Sequence, residues 1–137
     1  MNPIETRILK LEMLVRNIKP IIRKELIAEQ RFIADLNRQQ LNSGEDADGQ
    51  PMPTYVPDSI QPSAPGRINL FDTGQFQDGI EPLFEDDYFE MISTDEKAAF
   101  LQPKYNALGL SPESIEVLRE RLALRLKKRI NEQIRAK

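Results

Sequence analysis

The sequence of 137 residues contains no cysteine, no histidine and no tryptophan. The first two absences exclude disulfides, thiolate nucleophiles, imidazole general bases and the usual ligands of zinc and copper. No apolar run reaches the length of about 18 residues that a membrane span needs, and residues 1–10 lack the apolar segment of a signal peptide. These absences predict a non-enzymatic protein without cofactor or metal, which is neither membrane-bound nor secreted and assembles by default in a cytoplasm.

Charge is distributed unevenly along the chain, although the net charge is only −3. Residues 1–42 carry 8 basic and 5 acidic side chains, residues 43–110 carry 3 and 13, and residues 111–137 carry 8 and 4. Basic ends around an acidic centre suit contacts between copies of the chain, because opposite charges steer and register partners. Acids that simply collect in solvated loops are an equally simple explanation at this point.

The first 42 residues have the apolar periodicity of an amphipathic helix. Apolar residues recur every three or four positions over residues 4–36, and only Glu29 interrupts the later register. Pro20 lies inside this pattern, where its missing N–H and its ring predict a kink or break near residues 16–19. We therefore predict two helices, over residues 4–18 and 20–41.

A change of composition marks residues 43–66, where five prolines exclude a helix and a central strand. This segment is too long for an ordinary connection inside a compact domain. We predict an extended arm that lies in a groove of a neighbouring subunit. Its apolar anchors are Met52, Tyr55, Val56 and Ile60.

Short β-like runs over residues 67–110 predict a small antiparallel sheet, with a hairpin around residues 85–87. The runs are 68–71, 80–84, 88–93 and 98–101. Ser111, Pro112 and Glu113 then combine an N-cap hydroxyl, a proline at the first helical position and an acid in the first turn, which predicts a last helix over residues 111–137. The fold class is α+β in a single domain, ordered as kinked N-terminal helix, arm, small sheet and C-terminal helix.

Several groups that resemble chemical sites are better explained as structure. Asp46 and Asp48 match only part of a calcium loop, because the leading and the closing carboxylate are missing. The acids of residues 85–87 are typical of a solvated turn. In Asp72-Thr73-Gly74 the side chains can bond the following amides, while Gly74 supplies a positive φ or starts a helix.

Basic residues at helical spacing in the last helix could contact a phosphate backbone. They are Arg121, Arg125 and Lys128. The acidic character of the whole chain argues against independent DNA binding, and favours a solvated face or a salt-bridged contact with the acidic centre of a neighbour.

The stretch Leu70-Phe71-Asp72-Thr73-Gly74-Gln75-Phe76, followed by Gly79-Ile80, resembles a signature of tailed bacteriophages. That signature, Leu-x-Asp-Thr-Gly-x-Leu/Phe-x-x-Ser-Ile, belongs to the virion morphogenesis, neck and tail-completion proteins that join head to tail. In those families a long helix and a loop rich in proline and glycine precede the signature, and a Gly-Leu-Ser element caps the last helix. Gly109-Leu110-Ser111 stands at the corresponding place here.

The resemblance implies a homo-oligomeric ring, commonly six-fold or twelve-fold, which contacts portal-side adaptors or the tail and touches DNA in the channel only incidentally. It implies a place in the neck or tail of the virion after assembly in the bacterial host cytoplasm. The alternative is a cytoplasmic helical adaptor or regulator that dimerises through the apolar stripe of residues 4–22. The residues that we predict to fix the subunit fold are Leu70, Phe71, Asp72, Thr73, Gly74, Phe76 and Ile80.

Overall fold

The chain is described by a computed structural model over residues 2, 4, 18–54, 66–71 and 74–135, and its contacts divide into two compact units. The helical unit combines residues 1–29 with residues 118–137, and the core unit consists of residues 30–117. Helix α1 (Ile18–Ala28) belongs to the helical unit, and helix α2 (Gln30–Asn42) opens the core unit.

The helix breaks at Glu29, between α1 and α2. The sequence pattern predicted one continuous helix over residues 20–41, in which Glu29 was only a polar residue in the apolar stripe. The Glu29 N–H is shared between the carbonyl oxygens of Glu25, at 3.2 Å, and Leu26, at 3.0 Å. Such sharing is common where a helical turn tightens at a terminus. Pro20 lies within α1, while most of the predicted first helix and part of the predicted kink at residues 16–19 fall outside the described residues.

The predicted small sheet is a two-stranded antiparallel hairpin in the core unit. The short helix α3 (Gln75–Asp78) leads into strand β1 (Ile80–Phe84), which pairs with strand β2 (Phe89–Ser93). The register places Ile80 opposite Ser93 and Phe84 opposite Phe89. The hairpin around residues 85–87 is therefore confirmed, and so is a mixed fold of helices and a small antiparallel sheet.

Two of the four predicted β-like runs form no strand. Residues 68–71 turn instead, because the Asn69 Oδ1 accepts a hydrogen bond from the Phe71 N–H at 3.1 Å and Leu70 has a positive φ of 60°. Residues 98–101 begin helix α4 (Ala98–Tyr105). Asp95 explains the second error, since its backbone and side-chain oxygens accept hydrogen bonds from the N–H groups of Ala98 and Lys97 and so wind the chain into a helical turn.

The apolar core of the core unit collects side chains from residues 34–108. Helices α2, α3 and α4, strands β1 and β2, and the loops between them contribute to it. The buried members of the cluster are Ala34, Leu41, Met52, Phe76, Ile80 and Ala107.

Met52 corrects the prediction of an inter-subunit arm at its first anchor. Its side chain is 1% exposed and lies in the core of its own chain. Its N–H donates to the Gly44 carbonyl at 2.8 Å, and its carbonyl accepts from the Arg67 guanidinium at 2.9 Å. The chain up to Thr54 thus folds onto its own core unit. The other predicted anchors, Tyr55, Val56 and Ile60, lie outside the described residues.

The last helix, α5 (Pro112–Arg135), begins where its capping residues predicted. The Ser111 hydroxyl accepts a hydrogen bond from the Ser114 N–H at 3.2 Å, which satisfies one of the amides that a helix leaves without a partner at its start. No helix within the described ranges is both long enough and apolar enough to cross a membrane.

Candidate functional site

The segment that carries the phage-like signature, residues 70–80, is built into the core unit; we refer to it as the signature segment. Phe76 and Ile80 are 3% and 1% exposed, and the half-buried Leu70 packs against the same apolar cluster. Asp72 and Thr73 lie outside the described residues. The described part of the segment therefore contributes apolar anchors to the subunit, and its polar turn is not among the residues described.

Two residues of the signature segment have backbone conformations that few side chains tolerate. Gly74 has a φ of 87° and directly precedes helix α3. The two alternatives predicted for this glycine, a positive φ and the start of a helix, therefore both apply. A Cβ at Gly74 would lie 3.3 Å from the Phe71 ring. Leu70 has a φ of 60°, which is uncommon for a leucine and is stabilised here by the Asn69 side chain that bridges over it to Phe71.

The Arg38 side chain of helix α2 donates hydrogen bonds to backbone carbonyls at the C-terminal end of the signature segment. Its Nε donates to the Gln77 carbonyl at 2.7 Å, and its Nη2 donates to the carbonyls of Ile80 at 2.9 Å and Asp78 at 3.3 Å. Its Nη1 pairs with the Asp35 carboxylate at 2.8 Å, one turn earlier in the same helix. One guanidinium thus satisfies the last carbonyls of α3 and the first carbonyl of β1.

A buried amide holds the other end of the signature segment. The Gln77 side chain is 3% exposed, and its Nε2 donates to the Asn69 carbonyl at 2.8 Å and to the Asn42 Oδ1 at 3.0 Å. The Asn69 Nδ2 also donates to the Asn42 Oδ1, at 3.3 Å. Since buried amides are costly without partners, these bonds define one position of the segment against the end of α2.

Two further amides of α2 hold the chain that leads into α5. The Asn37 Nδ2 donates to the Ala107 carbonyl and its Oδ1 accepts from the Gly109 N–H, both at 2.9 Å. The Gln40 Nε2 donates to the Gly109 carbonyl and its Oε1 accepts from the Ser111 N–H, both at 2.8 Å. Each side-chain amide thus hydrogen-bonds to one backbone N–H and one backbone carbonyl, which are the groups that a neighbouring β-strand would bond.

We did not predict these polar residues of α2 from the sequence, because only the apolar stripe defined the helix there. A signal was nevertheless present, since Asn37 lies four residues after Ile33 and four before Leu41, and Gln40 lies four after Leu36. A polar side chain at the helical spacing of an apolar face lies on that face. Amides in such positions indicate buried hydrogen-bonding groups.

A cluster of charges in the helical unit joins α1 and Glu29 to α5. The Arg125 Nη2 and Nη1 lie 2.7 Å and 2.8 Å from carboxylate oxygens of Glu25 and Glu29, and Arg121 also pairs with Glu29. The two glutamates are almost fully buried, whereas the arginines are about half exposed. Arg121 and Arg125 are therefore paired within their own chain, which corrects the prediction of a solvated face or a contact with a neighbour; Lys128 is exposed.

Replacing Arg125 with alanine is expected to lower the free energy of unfolding by about 1–2 kcal/mol, because two buried carboxylates lose a partner while solvent reaches the site. Urea denaturation followed by circular dichroism measures the change. Lys128→Ala is the matched control in the same helix, and its effect is expected to stay within about 0.5 kcal/mol. Equal effects of the two substitutions would show that the cluster adds nothing to stability.

One open depression of the core unit is lined by acidic side chains. It has a volume of about 510 Å³ and lies between α3 and the turn after β2, where Asp78, Asp95 and Glu96 contribute carboxylates. Among the described ranges, no group of three or more acidic, histidine or cysteine side chains is placed to hold a metal ion. The depression therefore has acidic charge without a ligand set.

No protein-family model matches the chain, and comparisons with curated proteins and with solved structures find no similar protein.

Proposed function

We propose that this chain is a non-enzymatic structural protein of the head-tail junction of a tailed bacteriophage, a neck or tail-completion component that works as a homo-oligomeric ring. The observation that supports this function is the way in which the signature segment is buried and hydrogen-bonded in the core unit. Its apolar residues Phe76 and Ile80 are buried in the core, and Arg38 and Gln77 hold its backbone at both ends. A segment held in this way specifies a subunit shape, which is what an assembly protein needs.

Large apolar side chains left exposed on the core unit support a role in contacts with other chains. Leu83 of β1, Tyr88 at the hairpin turn and Phe100 of α4 are 45%, 59% and 63% exposed. Aromatic residues are enriched at protein interfaces, where one ring buries a large area at a small loss of conformational freedom. These three residues are the candidates for anchoring a neighbouring virion protein.

The charge distribution favours one orientation of the chains in such contacts. The carboxylates of the depression beside α3 belong to the acidic centre of the sequence, whereas the exposed Lys127 and Lys128 of α5 belong to its basic end. Opposite charges on different parts of one chain favour contacts between copies, and they guide association more than they add affinity. We assign the contacts between neighbouring copies in the ring to surfaces of this kind.

A stop codon early in the reading frame is expected to leave filled heads and complete tails that do not join, because a junction component is needed only after both parts exist. Electron microscopy of lysates and plaque counts measure the effect, and a copy supplied from a plasmid is expected to restore joining. Asp72 and Asp78 are the carboxylates that an enzyme could use as a general acid and base. A copy with Asp72→Asn and Asp78→Asn is expected to restore joining as well, since a structural protein needs no such pair. Normal numbers of infectious particles without the protein would contradict the proposal and favour a helical adaptor.

A further inference from the structure

The two edges of the β-hairpin differ in their backbone hydrogen-bonding groups. The Glu85 N–H donates to the Tyr88 carbonyl at 2.8 Å, and the Thr94 N–H donates to the Gly79 carbonyl at 2.9 Å. Because hydrogen-bonded pairs alternate along an antiparallel ladder, these two pairs define the pairs between them. The hydrogen-bonded pairs inside the hairpin are Glu81 with Ile92 and Leu83 with Glu90. The N–H and C=O groups of residues 80, 82 and 84, and of 89, 91 and 93, therefore point away from the hairpin.

The outer edge of β1 is protected against a further strand. Pro82 occupies one of its outward positions and has no N–H to donate. The outward carbonyl of Ile80 already accepts a hydrogen bond from Arg38. Proline and an occupied carbonyl are among the means by which proteins prevent pairing at a sheet edge.

Within the ranges that the structure describes, the outer edge of β2 has neither a proline nor a bonded outward carbonyl. No residue in the described part of the chain donates to, or accepts from, the outward backbone groups of Phe89 and Met91. The strand from Phe89 to Ser93 contains no proline and no bulge, and its single charged side chain is Glu90. An edge of this kind is a template for strand addition.

We propose that β2 binds β2 of a second copy of the chain, antiparallel and about a two-fold axis at Met91, so that two hairpins form one four-stranded sheet. In this register the two Met91 residues face each other, and each Phe89 faces Ser93 of the other copy. The outward groups of these three residues then make about six hydrogen bonds between the copies.

In this register the side chains of the two β2 strands are compatible with each other. Glu90 comes to lie opposite Ile92 of the second copy, so no two carboxylates face each other across the new contact. A register centred on Glu90 is disfavoured, because it would place the two Glu90 carboxylates directly opposite each other at a close, non-hydrogen-bonded pair. Growth beyond two copies is excluded, since the protected edge of β1 cannot accept the next strand.

The pairing is a property of the free protein and goes beyond the proposed function. In a ring of cyclic symmetry a two-fold pair is not a ring contact, so the pair describes the subunit before it joins a particle. Its failure and the failure of the virion role are distinguishable, because one is measured on purified protein and the other on phage lysates.

Met91→Pro and Met91→Ala test the pairing. Both substitutions remove the methionine side chain, which packs partly against the core, but only proline also removes the outward N–H. Sedimentation velocity over a range of concentrations is expected to show a dimer for the wild type and for Met91→Ala. Met91→Pro is expected to weaken the dimer at least about tenfold in Kd, because each copy loses a donor and leaves an acceptor unpaired.

Hydrogen exchange of backbone amides in the wild-type protein gives a second test that needs no variant. In the pair, the amides of Phe89, Met91 and Ser93 are expected to exchange slowly, as do those of Glu90 and Ile92, which the hairpin itself protects. On dilution to the monomer only the first three should become fast. A wild-type monomer at high concentration, or a dimer in which the Phe89 and Met91 amides exchange fast, would overturn the proposal, and so would a folded Met91→Pro protein that dimerises like the wild type.

Discussion

Truncation of Phe76 to alanine is expected to lower the free energy of unfolding by about 3–5 kcal/mol. The ring is 3% exposed and lies in one cluster with Ile80, Leu41 and Met52, side chains that come from three other parts of the chain. Removing it deletes apolar contacts in the interior and leaves a cavity that α3 cannot close by moving, because the hydrogen bonds of Gln77 with Arg38 and Asn69 hold the helix. Urea denaturation measures the loss.

Phe100→Ala is the matched control, because the same side chain is 63% exposed on α4. Its effect on the free energy of unfolding is expected to stay within about 0.5 kcal/mol. The two variants also separate stability from assembly. Phe76→Ala should lose junction activity through loss of folded protein, whereas a loss of activity in the stable Phe100→Ala protein would identify α4 as a contact surface. Near-equal stabilities would contradict the assignment of Phe76 to the core.

Replacement of Gln40 by alanine is expected to cost about 2–4 kcal/mol, since the Gly109 carbonyl and the Ser111 N–H each lose a partner worth roughly 1–3 kcal/mol when buried. The same substitution also loosens the start of α5, because Ser111 is its N-cap. Thermal unfolding followed by circular dichroism measures the effect on the whole chain. Hydrogen exchange of the Ser111 amide reports the local effect.

The neighbouring residue provides the control for this prediction. Gln39 belongs to the same helix and is exposed, so Gln39→Ala is expected to change the free energy of unfolding by no more than about 0.5 kcal/mol. Both substitutions have the same intrinsic effect on helix propensity. A difference between them therefore measures the hydrogen bonds of Gln40, and its absence would show that water replaces them.

The elements with strong local signals were predicted correctly from the sequence. The hairpin of β1 and β2 has apolar runs on both sides of an acidic turn, and the start of α5 has a serine, a proline and a glutamate in the order that a helix N-terminus requires. Such signals depend on residues within a few positions of each other. They are readable because the responsible contacts are local.

The errors concern contacts between residues distant in the sequence. Met52 was assigned to an arm because it stands among prolines, and nothing local shows that its side chain reaches the core of its own chain. Glu29 looked like an interruption of an apolar stripe, although it is the buried partner of arginines more than 90 residues later. In the candidate site, Phe76 and Ile80 were among the predicted residues, while Arg38 and the amides that position the segment were not.

Helix α2 also sets an order of events during synthesis of the chain. Asn37 and Gln40 find their partners 69 to 72 residues further on, so the ribosome must synthesise this intervening stretch before either amide can be satisfied. Contacts across such separations close late, because the entropy of the intervening chain opposes them. Until Ser111 has emerged, the apolar face of α2, with Ile33, Leu36 and Leu41, is not yet covered by the complete core unit, and exposed apolar surface of this kind favours aggregation of the nascent chain.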